Sequence, residues 1–422
     1  MLQNPFYLFF TACLGLFFWA GYRRIFAEVP YRHSLWSFLG EECAPGQRRA
    51  IVRALLAGLP GDSGAMAWIL TMAALCLGGA GALFWYLVFS LLWLHPLGAL
   101  AGLWCYYQPG CGGRVELSAL LEGILCRKRA RARPGLGRLL RWLQTLALCG
   151  MLPLLFRILA SPSAPARGAG LLPWLVVLLA LWLLCRLVGE RGETVLSLLF
   201  LLLLAAALLG NLPNLIPAVK LVLLDAFDRS RFLFSLSGAG LAAALQAGGA
   251  AGCGGALLRT LSAREEGPSF AHPAQAAFYE ELRGLLQLTV QLALGLLFLC
   301  ARLVPEDNRW PQTCLWAFLC LFGLLWLGRA VRALARPEGR RCGLLCFGLV
   351  GAAAVWDIWK GTALLPGLSG GAAGLASLAL AGLLLFDSNW YFLLLEHYRD
   401  VHIWHVTPHP DLMQTEMERK NM

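Results

Sequence analysis

Eleven stretches of this 422-residue chain are apolar enough to cross a bilayer, and two of them are interrupted by glycine. The first interruption reads Gly58-Leu59-Pro60-Gly61-Asp62-Ser63-Gly64. The second reads Gly248-Gly249-Ala250-Ala251-Gly252-Cys253-Gly254-Gly255. Hydrocarbon offers no water to an exposed backbone amide or carbonyl. A membrane helix is therefore opened only where it faces protein or a watery cavity. Two such openings at corresponding places in two halves of a chain point to the binding site of a transporter.

Composition agrees with a chain built for lipid. Hydrophobic residues make up 59% and charged residues 14%, against roughly half and a quarter in soluble domains. The net charge of +11 is read as basic loops at a membrane surface, not as a nucleic-acid partner. The fourteen cysteines are scattered, without a Cys-x-x-Cys pair or zinc-finger spacing, so no disulfide framework is expected. Sequence signatures of enzymes are missing: there is no His-Glu-x-x-His, Gly-x-Ser-x-Gly or P-loop.

The spans fall near 5–21, 53–76, 80–106, 142–160, 171–187, 194–216, 232–257, 284–304, 312–328, 342–359 and 370–395. The segments after spans 1, 3, 5, 7, 9 and 11 hold most of the 35 Lys and Arg residues, which predicts an outside N-terminus and a cytoplasmic C-terminus in a multi-pass cell (inner) membrane protein. Span 1 has no basic residue before it and Arg23 and Arg24 after it, so it reads as a retained helix and not as a signal peptide. The densest cluster, Arg127, Lys128, Arg129, Arg131 and Arg133, suits a topology determinant or anionic lipid headgroups. With spans 2–6 and 7–11 taken as two units, each interruption lies in the first span of its unit. Five is odd, so the second unit enters from the opposite side, as an inverted repeat does. The expected fold is all-α, with span 1 peripheral, repeat one at about 53–216, repeat two at about 232–395, and a cytoplasmic tail at 396–422.

Several of the residues that bear on chemistry keep two readings. Asp62 lies about nine residues into span 2, or ~14 Å at 1.5 Å per residue, near the middle of a ~30 Å hydrocarbon core. It serves either as a cation, proton or ammonium ligand with Ser63, or as the cap of a second half-helix. Gly248, Gly249, Gly252, Gly254 and Gly255 either unwind span 7 around a substrate carboxylate or let helices pack closely. Trp356 and Asp357 gate the end of span 10 or form an interfacial anchor with Lys360. His95, followed by Pro96, is a proton relay or a packed, hydrogen-bonded residue. His397, His402, His405 and His409 bind a metal or sit in a solvated tail.

A further set of motifs resembles the alanine or glycine:cation symporter family. Gly78-Gly79-Ala80-Gly81-Ala82-Leu83-Phe84-Trp85 is similar to that family's GGPGAVFW, with Ala80 in place of Pro. Asn211 to Lys220, with Ala226-Phe227 after it, resembles the segment ahead of the family's second broken helix. Gly248 to Ala256 aligns with SNEAGLGSA, and Pro60 to Ala67 stands at the place of VGTGNIAG. His272-Pro273 and Val355-Trp356-Asp357 resemble the family's HP and VWD.

The resemblance implies an eleven-helix secondary transporter that imports a small amino acid, alanine or glycine, by cation symport. Gly61, Asp62, Ser63, Gly64, Gly248, Gly249, Gly252, Gly254 and Trp356 would line the substrate site. Asp62 and Ser63 would be a candidate site for the coupling cation, with Na+ as the family's ion and no other cofactor. Small amino acid, cation and membrane lipid are the expected partners. Side-chain oxygens of both motifs are replaced here, by Gly248, Gly249 and Ala250 in the second. Two further readings therefore stand beside the symporter: a sodium-independent relative, or a carrier of another small solute. A non-transporting membrane scaffold is the third.

Overall fold

A computed structural model describes residues 1–26, 45–59, 64–107, 134–159, 190–227, 240–261, 273–303, 340–360 and 364–386, with single positions between 322 and 334. All regular structure among these residues is helical. We number the helices α1 (Pro5–Phe26), α2 (Pro45–Gly58), α3 (Gly64–Gly78), α4 (Ala82–Tyr107), α5 (Pro134–Leu159), α6 (Glu190–Gly210), α7 (Leu212–Phe227), α8 (Gly240–Leu261), α9 (Pro273–Leu303), α10 (Arg340–Lys360) and α11 (Leu364–Phe386). Span 5, most of span 9, the basic cluster at 127–133 and the histidines of the tail lie outside the described residues.

Among the described residues, six helical segments are long and apolar enough to cross a membrane: Pro5–Arg24, Ala82–Gly102, Gly192–Gly210, Gly240–Leu258, Gln275–Cys300 and Cys342–Lys360. Three shorter ones, Ile69–Gly78, Trp142–Phe156 and Gly370–Leu385, are apolar as well. Large apolar side chains are exposed along α1, α6 and α10, among them Phe9, Leu202 and Leu349. In water such a surface would drive association. Against acyl chains it is the ordinary exterior of a bundle.

Local chemistry sets the helix ends. Asn4 caps α1: its side-chain oxygen accepts from the Phe6 amide at 3.0 Å, and Pro5 stands where a missing N–H costs nothing. Arg23 and Arg24 close the last turn, where the helix dipole favours cations. Gly79 ends α3 with φ 72° while its amide reaches the Leu75 carbonyl at 3.1 Å; a side chain there would strain the turn. Span 6 is expected to continue to residue 216, but α6 stops at Gly210 and α7 begins at Leu212. Pro213 explains the break, because its ring would collide with the carbonyl four residues back.

The centre of the bundle is α4. It runs antiparallel to α9, with Gly98 against Glu281 and Gly295 against Leu83, and it packs along α8 on another side. Trp93 and Phe200 are fully buried, and Tyr279 and Trp326 nearly so. α1 joins through one face: Tyr7, Leu14 and Phe18 are buried, and the Tyr7 hydroxyl is 2.5 Å from Ser377 Oγ of α11.

One expectation is overturned here. Gly248, Gly249, Gly252, Gly254 and Gly255 do not unwind the chain, because α8 is continuous from Gly240 to Leu261. Close packing accounts for four of the five. A Cβ on Gly248 would overlap the Ala82 carbonyl oxygen. One on Gly252 would lie 2.8 Å from the Tyr86 carbonyl oxygen, and one on Gly249 would lie 2.7 Å from Leu8. Gly254 faces Tyr7 at 2.9 Å. Gly248 and Gly252, four residues apart, are the groove into which α4 fits, a small-xxx-small contact. The helix has no reason to open, since its amides would find no better partner in a dry interface.

Candidate functional site: a small cavity beside the first interruption

The first interruption is where polar chemistry gathers. α2 ends at Gly58 and α3 begins at Gly64. A helix end leaves its last carbonyls without intrahelical partners, and inside a bundle that is costly unless something donates to them. Ser197 of α6 does so: its buried hydroxyl lies 2.7 Å from the Leu56 carbonyl oxygen and 2.9 Å from that of Glu193. The bond back to Glu193 is an i−4 contact within α6, which carries a small cost to that helix.

Leu59, one residue past α2, lines a small cavity with Phe200 of α6, Phe322, and Gln287, Val290, Gln291 and Leu294 of α9. The α9 residues recur at i, i+3, i+4 and i+7, which places them on one face of the helix. The cavity leaves about 10 Å³ for the centre of a water molecule, room for roughly one water. Gln287 and Gln291 are both almost fully buried, and Gln291 Oε1 accepts from the Tyr86 hydroxyl of α4. Gln287 lies near the middle of the Gln275–Cys300 span. Burying an amide away from water costs about 1–3 kcal/mol when it is not compensated. Gln291 is compensated by Tyr86, and both amides line the cavity. A primary amide offers two donors and an acceptor, which suits a zwitterion: N–H for a carboxylate and C=O for an ammonium.

The predicted site residues divide sharply. Gly61, Asp62 and Ser63 lie outside the described residues, and Gly64 opens α3. Gly248, Gly249, Gly252 and Gly254 belong to the α8 packing groove described above and do not line the cavity. Trp356 does not reach it either. It is 58% exposed, stacked edge-on with Trp359 at 5.1 Å, and Lys360 lies over both rings at 5.3 and 5.4 Å. This arrangement fits an interfacial anchor. Conversely, Gln287 and Gln291 were missed by sequence reasoning. The available signal was a pair of amides at i, i+4 in the middle of an apolar span, where a polar residue needs a reason. Among the described residues no group of three or more His, Cys, Asp or Glu is placed to hold a metal.

The motif residues that carry the family resemblance meet each other in space. A Cβ on Gly81 would lie 2.5 Å from the Asp225 backbone. The Trp85 indole donates to the Ala226 carbonyl at 3.1 Å, and Phe227 stands against Phe84 and Trp85 at 5.0 and 5.9 Å. The run from Gly78 to Trp85 is thus the socket for the end of α7.

The chain is an all-α, polytopic membrane protein. No family model and no curated protein matches it. It is similar to a solved structure of a mutant manganese transporter from Eremococcus coleocola, with 14% identity and a TM-score of 0.45 over 84% of this chain and 81% of that one.

Proposed function

We propose that this protein is a secondary transporter that carries a small amino acid, alanine or glycine, by cation symport with alternating access. The observation that carries the reading is the small cavity lined by Gln287, Gln291 and Leu59, next to the interrupted span 2. The cavity has room for about one water, so a small zwitterion would enter it only as α9 and span 2 move apart, the opening that alternating access requires. Asp62 and Ser63 follow Leu59 by only three and four residues, within chain reach of the same space. They are the candidate ligands of the coupling cation.

Helix pairings support the two five-span units. α2 packs on α6 as α8 packs on α11, and α3 meets α9 as α4 meets α8. α5 lies along α11, and the corresponding contact of the other unit is Phe200 against Phe322, at 4.7 Å between ring centroids. A two-fold relation between spans 2–6 and 7–11 would generate these pairs. With α8 unbroken, the units differ at their first spans, and the substrate is held from the α9 side.

Uptake of labelled alanine and glycine into proteoliposomes tests the reading. Symport with sodium predicts accumulation that needs an inward sodium gradient and is lost in Asp62→Asn. Sodium-independent uptake replaces the symporter by the uncoupled or differently coupled relative. No transport of any small amino acid leaves the scaffold.

A further inference from the structure

We propose that Glu281, His95 and Tyr22 form a proton-binding site, so that a proton is a coupling ion of this carrier; the inference rests on the transport reading above. The three side chains come from α9, α4 and α1. Tyr22 donates to Glu281 Oε1 at 3.0 Å, and His95 Nδ1 is 3.3 Å from Oε2. The Tyr22 and His95 rings stack at 5.8 Å, 19° from parallel. Glu281 is buried, its side chain 10% exposed, while His95 is 43% exposed. The acid is therefore reached through the imidazole. Gly98 admits this arrangement, since a Cβ there would lie 2.9 Å from Glu281 Cγ.

Depth and surroundings fit a proton port. Glu281 is six residues inside Gln275–Cys300 and His95 seven residues from Gly102, or ~9–10 Å from that end of the span. Tyr22 stands beside Arg23 and Arg24 at the same end of α1. The other charged groups on the packed elements are few. Arg283 pairs with Glu280 at 3.9 Å on α9, Arg23 lies over Trp19 at 5.4 Å, and Arg49 and Arg53 of α2 are exposed. Arg48 is on the first turn of α2, and Asp225 of α7 belongs to the far end of α4 beside Gly81. Among the described residues Glu281 is paired with His95 and hydrogen-bonded by Tyr22. The transfer balances as a tautomer exchange. His95 takes a proton at Nε2 and passes its Nδ1 proton to Glu281 Oε2, leaving a neutral ring and a carboxylic acid. Neutral Glu281 keeps its contacts to Tyr22 and His95 as neutral hydrogen bonds, weaker than the charge-assisted ones, which links protonation to the packing of α1.

The test is proton entry, followed with a trapped pH dye in proteoliposomes, when alanine is added outside. Alanine exchange at equal pH on both sides reports transport separately. The expected result is alanine-driven proton entry in the wild type that falls to the level of protein-free vesicles in Glu281→Gln and is reduced in Tyr22→Phe, with both variants eluting as the wild type does in detergent. Alanine exchange without proton entry overturns the proton site and leaves the carrier. If no amino acid is exchanged, the carrier reading fails. The site is then decided by infrared spectra of the purified protein: a pH-dependent carboxyl band absent from Glu281→Gln supports it, and the lack of such a band overturns it.

Discussion

At the scale of single residues, the same residue type does opposite work at two places. Gly79 is needed for its backbone angle, Gly248 for its missing side chain. Substitution separates the two readings of the second glycine cluster. Gly248→Ala forces a methyl into the Ala82 carbonyl of α4, and overpacking of this kind costs about 1–3 kcal/mol. At Gly255 the nearest atom to an added Cβ is 3.6 Å away, and Gly255→Ala is expected to leave the melting temperature near that of the wild type. An unwound segment would show no such ranking by distance. Ser197→Ala is the second test at this scale. It removes the donor to the Leu56 carbonyl and, as the loss of a partner to a buried polar group, is expected to destabilise by about 1–3 kcal/mol, measured by thermal unfolding in detergent.

Among the elements, α7 is the one that sequence periodicity concealed. Its first residues, to Ile216, fall within span 6 because Leu212, Leu215 and Ile216 prolong the apolar pattern, the rest lies beyond that span, and only Gly210 and Pro213 announce the corner. Ala218, Leu221, Val222 and Ala226 face the protein, while Ile216, Val219, Leu223 and Leu224 are exposed. A short helix with apolar residues outward and Lys220 among them lies at the edge of lipid. Cysteine placed at Ile216 or Leu224 is predicted to react with a membrane-soluble maleimide, and cysteine at Ala218 to be protected. Equal labelling of all three would contradict the orientation. The long spans themselves were legible, because a bilayer demands a length and a composition that α4, α9 and α10 display openly. The partner of a glycine was not. The cluster at 248–255 reads alike whether it opens for a ligand or closes on a helix, and only the presence of α4 opposite decides. The cavity was hidden for a related reason: Gln287 and Gln291 acquire meaning when Leu59, Phe200 and Phe322 are brought to them from elsewhere in the chain.

For the whole molecule, the account is a bundle that rests on the α4–α8 and α4–α9 contacts and keeps its polar groups at two depths. Gln287 and Gln291 face the cavity near mid-span, and Glu281 with His95 and Tyr22 lies nearer one end. A glycine-packed seam lies on one side of α4 and a less filled side along α9, and the proposed substrate site is between α9 and the end of α2. A ligand of the native state raises the melting temperature in proportion to the logarithm of its concentration over Kd, by about 2.7 kcal/mol at a hundredfold excess. The most direct measurement is therefore the melting temperature of the purified protein titrated with alanine and glycine, for the wild type and for Gln291→Leu. The account predicts a concentration-dependent rise in the wild type that Gln291→Leu abolishes while still unfolding cooperatively. An equal rise in both proteins, or none in the wild type, would contradict it.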